Sequence, residues 1–239
     1  MVNNYDNSII RSVACDKEFN PNSSERVDIF EILNDIQDYN MMGIKPPTYF
    51  QYKYFCHFYI NHFSLERFNF NKTVQTRLYL DIKICNTVKV AEKLIDNALK
   101  TNTPLLFKFA LSDGRNDNFV LYTDYENIYS LLNLIEQTKK ENPKLFAGCK
   151  VKNPLMGSIK GYIGYGDEPF TWGSFNSVRV EALEKCYEVL TKRHKDNISL
   201  VTKEEIVDVF NKVCDYYNID KNNFYLNSET IHHSYTLDI

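Results

Sequence analysis

The spacing of apolar residues switches repeatedly between helical and strand-like periods, and these switches lay out most of the chain's elements. Val27, Phe30, Leu33 and Ile36 recur every three residues behind Ser24, which can cap a helix over residues 25–40 that Gly43 and Pro46-Pro47 terminate. Residues 49–63 are so aromatic that one or two strands are expected. Over residues 76–83 the period falls to two: Leu78, Leu80 and Ile82 face one way, and Arg77, Tyr79, Asp81 and Lys83 the other. Helical spacing returns over 88–100 with Val88, Ala91, Ile95 and Ala98, and the runs 105–111 and 119–122 read as two more strands. Strand, helix, strand in succession predicts a right-handed crossover between parallel neighbours.

Further along, Thr123-x-x-Glu126 reads as a capping box for a helix over 125–141 that buries Ile128, Leu131, Leu132 and Ile135. Ser174 opens an amphipathic helix with Phe175, Val178, Ala182, Cys186 and Val189 on its core face. Thr202-x-x-Glu205 caps a last helix over 203–217, with Ile206, Val209, Phe210 and Val213 inward. The expected fold is α+β: a single domain with a mixed central sheet flanked by helices. Residues 1–70 form an extension with one helix and the aromatic strands, and residues 71–239 form the main body.

Composition narrows the function classes. At 239 residues and 44% hydrophobic the chain can bury a real core. A net charge of -3 offers no general attraction to nucleic acid or to an anionic membrane, so neither is expected as a partner. No apolar run approaches a membrane span, and the N-terminus lacks a signal-peptide core. The chain is expected to be cytoplasmic, or exported by a route without such a signal. Six widely spaced cysteines without a CxxC pair indicate neither a zinc site nor a disulfide framework. No HExxH, GxSxG or P-loop sequence is present.

Of eight glycines, six lie between Gly148 and Gly173, in company with Lys150, Lys152, Lys160 and, further on, Arg179. Glycines, cations and the helix start at Ser174 together can bind an anion such as phosphate; the alternative is a long glycine-pinned surface loop. Lys108 sits mid-strand between Phe107 and Phe109 with no neighbouring carboxylate, where desolvation would favour a neutral amine able to act as a base. An edge-strand lysine reaching water is the other reading. The face Arg77-Tyr79-Asp81 shares one side of the sheet with Lys108 if the two strands are neighbours; otherwise it is a solvated strand face. Arg179, one turn after Phe175, is placed either to hold a phosphate or to pair with Asp167 or Glu168.

Several short motifs recur in a familiar order. They are Arg77-Leu78-Tyr79, Phe107-Lys108 after Pro104, Val120-Leu121-Tyr122, Lys152-Asn153-Pro154-Leu155, Gly164-Tyr165-Gly166-Asp167-Glu168-Pro169, Gly173-Ser174-Phe175 with Arg179, and Tyr225-Leu226-Asn227. Over residues 76–190 the chain resembles the HopA-type type III effectors and the related lyases of class V lanthipeptide and thioamitide biosynthesis. It departs from their pattern at Leu80, Asn153 and Val178.

The resemblance implies a lyase that removes phosphate by β-elimination from phosphoserine or phosphothreonine in a precursor peptide, leaving dehydroalanine or dehydrobutyrine. It implies Lys108 as base, with Tyr79 as the second catalytic group. Arg77, Lys152, Lys160 and Arg179 would bind phosphate, and Asp81, Tyr122, Asp167 and Glu168 would line the peptide site. A phosphorylated precursor peptide and a kinase of the same pathway would be the partners. No metal or organic cofactor is implied. The effector branch implies a different class, a secreted protein acting in a host cell by binding another protein without catalysis. A phosphopeptide-binding module is a third reading.

Overall fold

The computed structural model describes residues 48–52, 55–60, 75–110, 118–170, 173–195 and 197–230. The helix expected over 25–40 lies outside them. The aromatic segment forms two strands, β1 (Thr48–Tyr52) and β2 (Phe55–Ile60), which pair as an antiparallel hairpin. The strand-period runs downstream become β3 (Thr76–Leu80), β4 (Leu105–Ala110) and β5 (Phe119–Thr123). Two more strands, β6 (Gly157–Ile159) and β7 (Ile163–Asp167), arise inside the glycine-rich stretch. The seven strands form one sheet in the order β1-β2-β4-β5-β3-β7-β6.

Every pairing in that sheet is antiparallel, which corrects the mixed sheet expected from the sequence. β3 and β4 do run parallel, but they are not neighbours: β5 inserts between them and pairs antiparallel with each. The helix between β3 and β4 therefore spans two strand spacings. Together with the helix after β5, this gives a split β-α-β-β-α-β arrangement whose inner order is β4-β5-β3-β7. The hairpins β1-β2 and β6-β7 extend its two edges.

Those two helices, α1 (Ile84–Thr101) and α2 (Ile128–Glu141), cover one face. Leu78, Leu80, Phe107, Phe109, Phe119, Leu121 and Ile163 point towards them and pack with Val90, Leu94, Ile95, Leu131 and Ile135 in the main core. Phe107 and Phe119 stack with centroids 5.2 Å apart and rings within 5° of parallel. Each such side chain stabilises the fold by about 1.5–3 kcal/mol through burial. A second layer comes from α3 (Phe175–Arg193) and α4 (Lys203–Tyr217), which form a smaller core of Ala182, Cys186, Val209, Val213, Cys214 and Ile219. The caps expected for these two helices form: Ser174 and Thr202 each accept from the backbone of the third residue of their helix.

Element boundaries differ where polar side chains hide or imitate a signal. α1 starts at Ile84, one turn before the apolar stripe begins, because Asn86 docks that turn by donating to the Leu145 carbonyl at 3.1 Å. α2 starts at Ile128: Thr123 stays in β5, and Asp124 accepts from the Asn127 N–H at 2.7 Å, so a side-chain-closed turn replaces the expected capping box. Ile206, expected inward, is 48% exposed, while Val209, Val213 and Cys214 carry the buried face of α4. Among the described residues no helix is long and apolar enough to cross a membrane.

Candidate functional site

Strand alternation directs Arg77 and Tyr79 of β3 away from α1 and α2, onto the second face of the sheet. Register does the rest. Lys108 is directly opposite Val120, and Val120 opposite Tyr79; Leu106 is opposite Tyr122, and Tyr122 opposite Arg77. Lys108 and Tyr79 thus share a row two strand spacings apart, roughly 10 Å, and Tyr122 and Arg77 stand in the adjacent row. β4 is paired on both sides, by β2 and β5, so Lys108 is not the edge lysine that the sequence left open. The residue is half-buried, and its Nζ lies 5.8 Å from the centre of the Tyr122 ring.

The remaining rows belong to β7, where Gly164 is opposite Tyr79 and Gly166 opposite Arg77. Gly166 has to be glycine: a Cβ there would come within 2.2 Å of the Phe175 ring. Phe175 packs against Tyr79 with centroids 6.0 Å apart. The N-terminus of α3 is in this way set over the sheet face, with Tyr79, Leu106, Val120 and Tyr122 beneath it and Leu155 and Met156 alongside. Asn153 ties the incoming segment to α3 by donating to Asn176 Oδ1 at 2.9 Å.

The cations divide into two groups. Arg77 is buried on the site face, and its Nε and Nη2 both donate to the Glu168 carboxylate. Its Cζ is 5.2 Å from the Tyr122 ring centre, a cation–π stack that holds the guanidinium from its other side. Lys152 meets Asp81, which follows the end of β3, in an ion pair of 2.5 Å. Arg77 and Glu168 join Lys108, Tyr79 and Tyr122 on one face; the Lys152–Asp81 pair stands near Cys149, which packs against the helix-side core.

Lys160 and Arg179 do not join them. Lys160 occupies the β6–β7 turn and pairs at 3.2 Å with Glu136 of α2, on the helix-covered side. Arg179 is wholly buried; it donates to the Phe224 carbonyl at 2.8 Å, the Leu226 carbonyl at 3.2 Å and Asn227 Oδ1 at 3.1 Å. Burial lowers its pKa to about 10, opposed by the charge of Asp167, so it stays cationic at neutral pH. Arg179 clamps the segment 224–227, while its Nη1 and the Oδ1 of Asp167 are buried without a hydrogen-bond partner among the described residues.

Asp167 is also structural. It is fully buried, its Oδ2 accepts from the Asn227 N–H at 2.9 Å and from the Thr230 hydroxyl, and burial raises its pKa. Of the glycines in this stretch, Gly157, Gly164 and Gly166 lie in β6 and β7, where an added Cβ would crowd Tyr165, Met156 or Phe175, whereas Gly148, Gly161 and Gly173 lie outside the strands at positive φ. The N-terminus of α3 is closed by its own Ser174 and Ser177 side chains.

Sequence reasoning missed Asn227. Its side chain donates to the Glu168 carbonyl at 2.8 Å and accepts from Arg179, while the Asp167 N–H donates to the Tyr225 carbonyl at 2.9 Å. The segment after α4 therefore fixes the end of β7 from which Glu168 reaches Arg77. Asn227→Ala, which leaves buried partners unsatisfied, is expected to cost about 1–3 kcal/mol, read as a lower midpoint in urea.

No protein-family model matches the chain, and no curated protein matches it. Solved structures similar to the chain include two effector proteins. One is the effector protein from Pseudomonas syringae pv. tomato strain DC3000, with a TM-score of 0.52 at 12% identity, over 93% of this chain and 79% of that one. The other is the effector protein from Pseudomonas syringae pv. syringae strain 61, with a TM-score of 0.49 at 12% identity, over 72% of this chain and 62% of that one. This chain has the fold of the first; at this identity the likeness is one of fold.

Proposed function

We propose that the protein is a phosphoserine/phosphothreonine lyase related to the HopA-like enzymes, acting by β-elimination on a phosphorylated precursor peptide of a lanthipeptide-type pathway. The observation that carries this reading is the alignment of Lys108, Tyr79, Tyr122 and Arg77 on one face of the central strands, beneath α3. The Lys108 amine takes the α-proton of the phosphorylated residue. Electrons of that C–H bond form the Cα–Cβ double bond, and the Cβ–O bond breaks as phosphate leaves. Tyr79 delivers a proton to the departing oxygen, and Arg77 offsets its charge. Base, acid and charge neutralisation meet the needs of the reaction, which is redox-neutral and calls for no organic cofactor.

Thiol trapping of the dehydro product, quantified alongside released phosphate, tests the reading. Equal amounts of adduct and phosphate are expected; phosphate without adduct marks hydrolysis instead. Tyr79→Phe is expected to slow the reaction about 10²-fold with little loss of stability, since the ring that packs on Phe175 is kept.

A second reading, a HopA-type effector that binds a protein partner in a host cell without catalysis, is favoured by the pairing of Arg77 and Lys152 with carboxylates. It is also favoured by the fold shared with a Pseudomonas syringae effector. Genome neighbourhood separates the two. A kinase gene and a Ser/Thr/Cys-rich precursor support the lyase, and secretion genes support the effector.

A further inference from the structure

We propose that Glu168 occupies on Arg77 the position that a substrate phosphate takes, so that phosphopeptide binding exchanges one anion for the other. This rests on the phosphopeptide reading above and adds to it a specificity-determining residue. Two guanidinium nitrogens, Nε and Nη2, meet the two carboxylate oxygens of Glu168 one to one. That edge of an arginine is the one that grips two phosphate oxygens in the same forked geometry.

Both side chains are largely out of water, 10% exposed for Arg77 and 11% for Glu168. A charge so desolvated is costly to leave alone, and the pair is therefore exchanged rather than opened. The surroundings fit an exchange. Arg77 is held independently by the Tyr122 ring, so its guanidinium keeps its place when the carboxylate leaves. The backbone of Glu168 is pinned on both sides, its N–H donating to the Gln75 carbonyl at 2.9 Å and its carbonyl accepting from Asn227 at 2.8 Å. Only the side chain has to swing, and the chain reaches solvent two residues on, at Phe170, which is 68% exposed.

The consequence is selectivity. At rest the Arg77 site is electrically matched, so a neutral serine or threonine peptide gains nothing from it, and a monoanionic carboxylate gains no more than Glu168 already supplies. A phosphate dianion brings more charge and the same fork, and it can displace the resident carboxylate.

The test uses the full chain and inorganic phosphate as the probe, with binding followed by calorimetry and by the rise in Tm. Glu168→Gln, which removes the competing charge and keeps the shape, is expected to bind phosphate at least about tenfold more tightly than the wild type. Its Tm without phosphate should fall and recover as phosphate is added. Adding Arg77→Met to that variant should abolish the gain. Glu168→Asp, whose shorter side chain keeps the charge but loosens the fork, should lie between wild type and Glu168→Gln and serves as the readout if the glutamine variant does not fold.

Equal phosphate affinity in wild type and variants, or a gain that survives loss of Arg77, overturns the proposal. The readout involves no turnover. A phosphate gain in a protein that never eliminates would retain this role for Glu168 and sink the lyase reading. Elimination by the wild type without a gain in Glu168→Gln would do the reverse.

Discussion

Lys108→Ala is expected to lower the elimination rate about 10³-fold or more while leaving phosphopeptide affinity and fold largely intact. The rate loss follows from the role: a positioned general base contributes about 10²–10⁴-fold, and no other amine shares the row of Tyr79 and Val120 among the described residues. The fold survives because β4 keeps its pairings with β2 and β5, which are made by the backbone, and because the helix-side core is built from Leu105, Phe107 and Phe109 on the opposite face. Lys108→Arg sharpens the result. Arginine retains the positive charge and can stack on Tyr122, but it is not deprotonated in proteins, so it should be as inactive as alanine. Single-turnover kinetics on a phosphopeptide would read the rate, and circular dichroism the fold. Substantial activity in Lys108→Arg would mean that the residue contributes charge rather than acting as base.

Arg179→Leu should have the largest effect on stability, about 3–5 kcal/mol, enough to unfold a marginally stable domain. Two backbone carbonyls, of Phe224 and Leu226, and the Asn227 side chain lose their donor inside the fold, and Asp167 loses its counter-charge. The loss should be present without any phosphopeptide and visible in urea unfolding. A variant of native stability that had lost only phosphate binding would show instead that Arg179 is a ligand. Arg179→Lys should recover part of the stability, since one ammonium cannot reach all three acceptors that the forked guanidinium serves.

The contrast between Arg179 and Arg77 shows what could be read from the sequence and what could not. Period-two alternation was enough to place Arg77 and Tyr79 on one face of β3, and Lys108 on a face of β4, because side-chain direction in a strand is a local property. That the faces coincide depends on β5 lying between those strands, which is decided by pairing of residues far apart in the chain. The same non-local choice made the sheet antiparallel where a local strand-helix-strand pattern suggests parallel neighbours.

Cation identity was equally blind to partners. Nothing in the spacing separates Lys152, which meets Asp81, from Lys160, which turns to Glu136 on the helix side. The glycine cluster was conspicuous, but its causes are separate: Gly166 makes room for the Phe175 ring and Gly157 for Tyr165, while Gly148, Gly161 and Gly173 take positive φ. Asn227 carried no signal beyond its motif, since an asparagine near a chain's end is unremarkable until its hydrogen bonds to Glu168 and Arg179 are seen.

Elimination of phosphate on this sheet face is tested most directly by mass spectrometry of phosphoserine and phosphothreonine peptides incubated with the purified protein. A peptide lighter by the elements of phosphoric acid, carrying a dehydro residue that adds a thiol, is expected. Return of the free hydroxyl, or recovery of the intact phosphopeptide from a complex that demonstrably binds it, would contradict elimination.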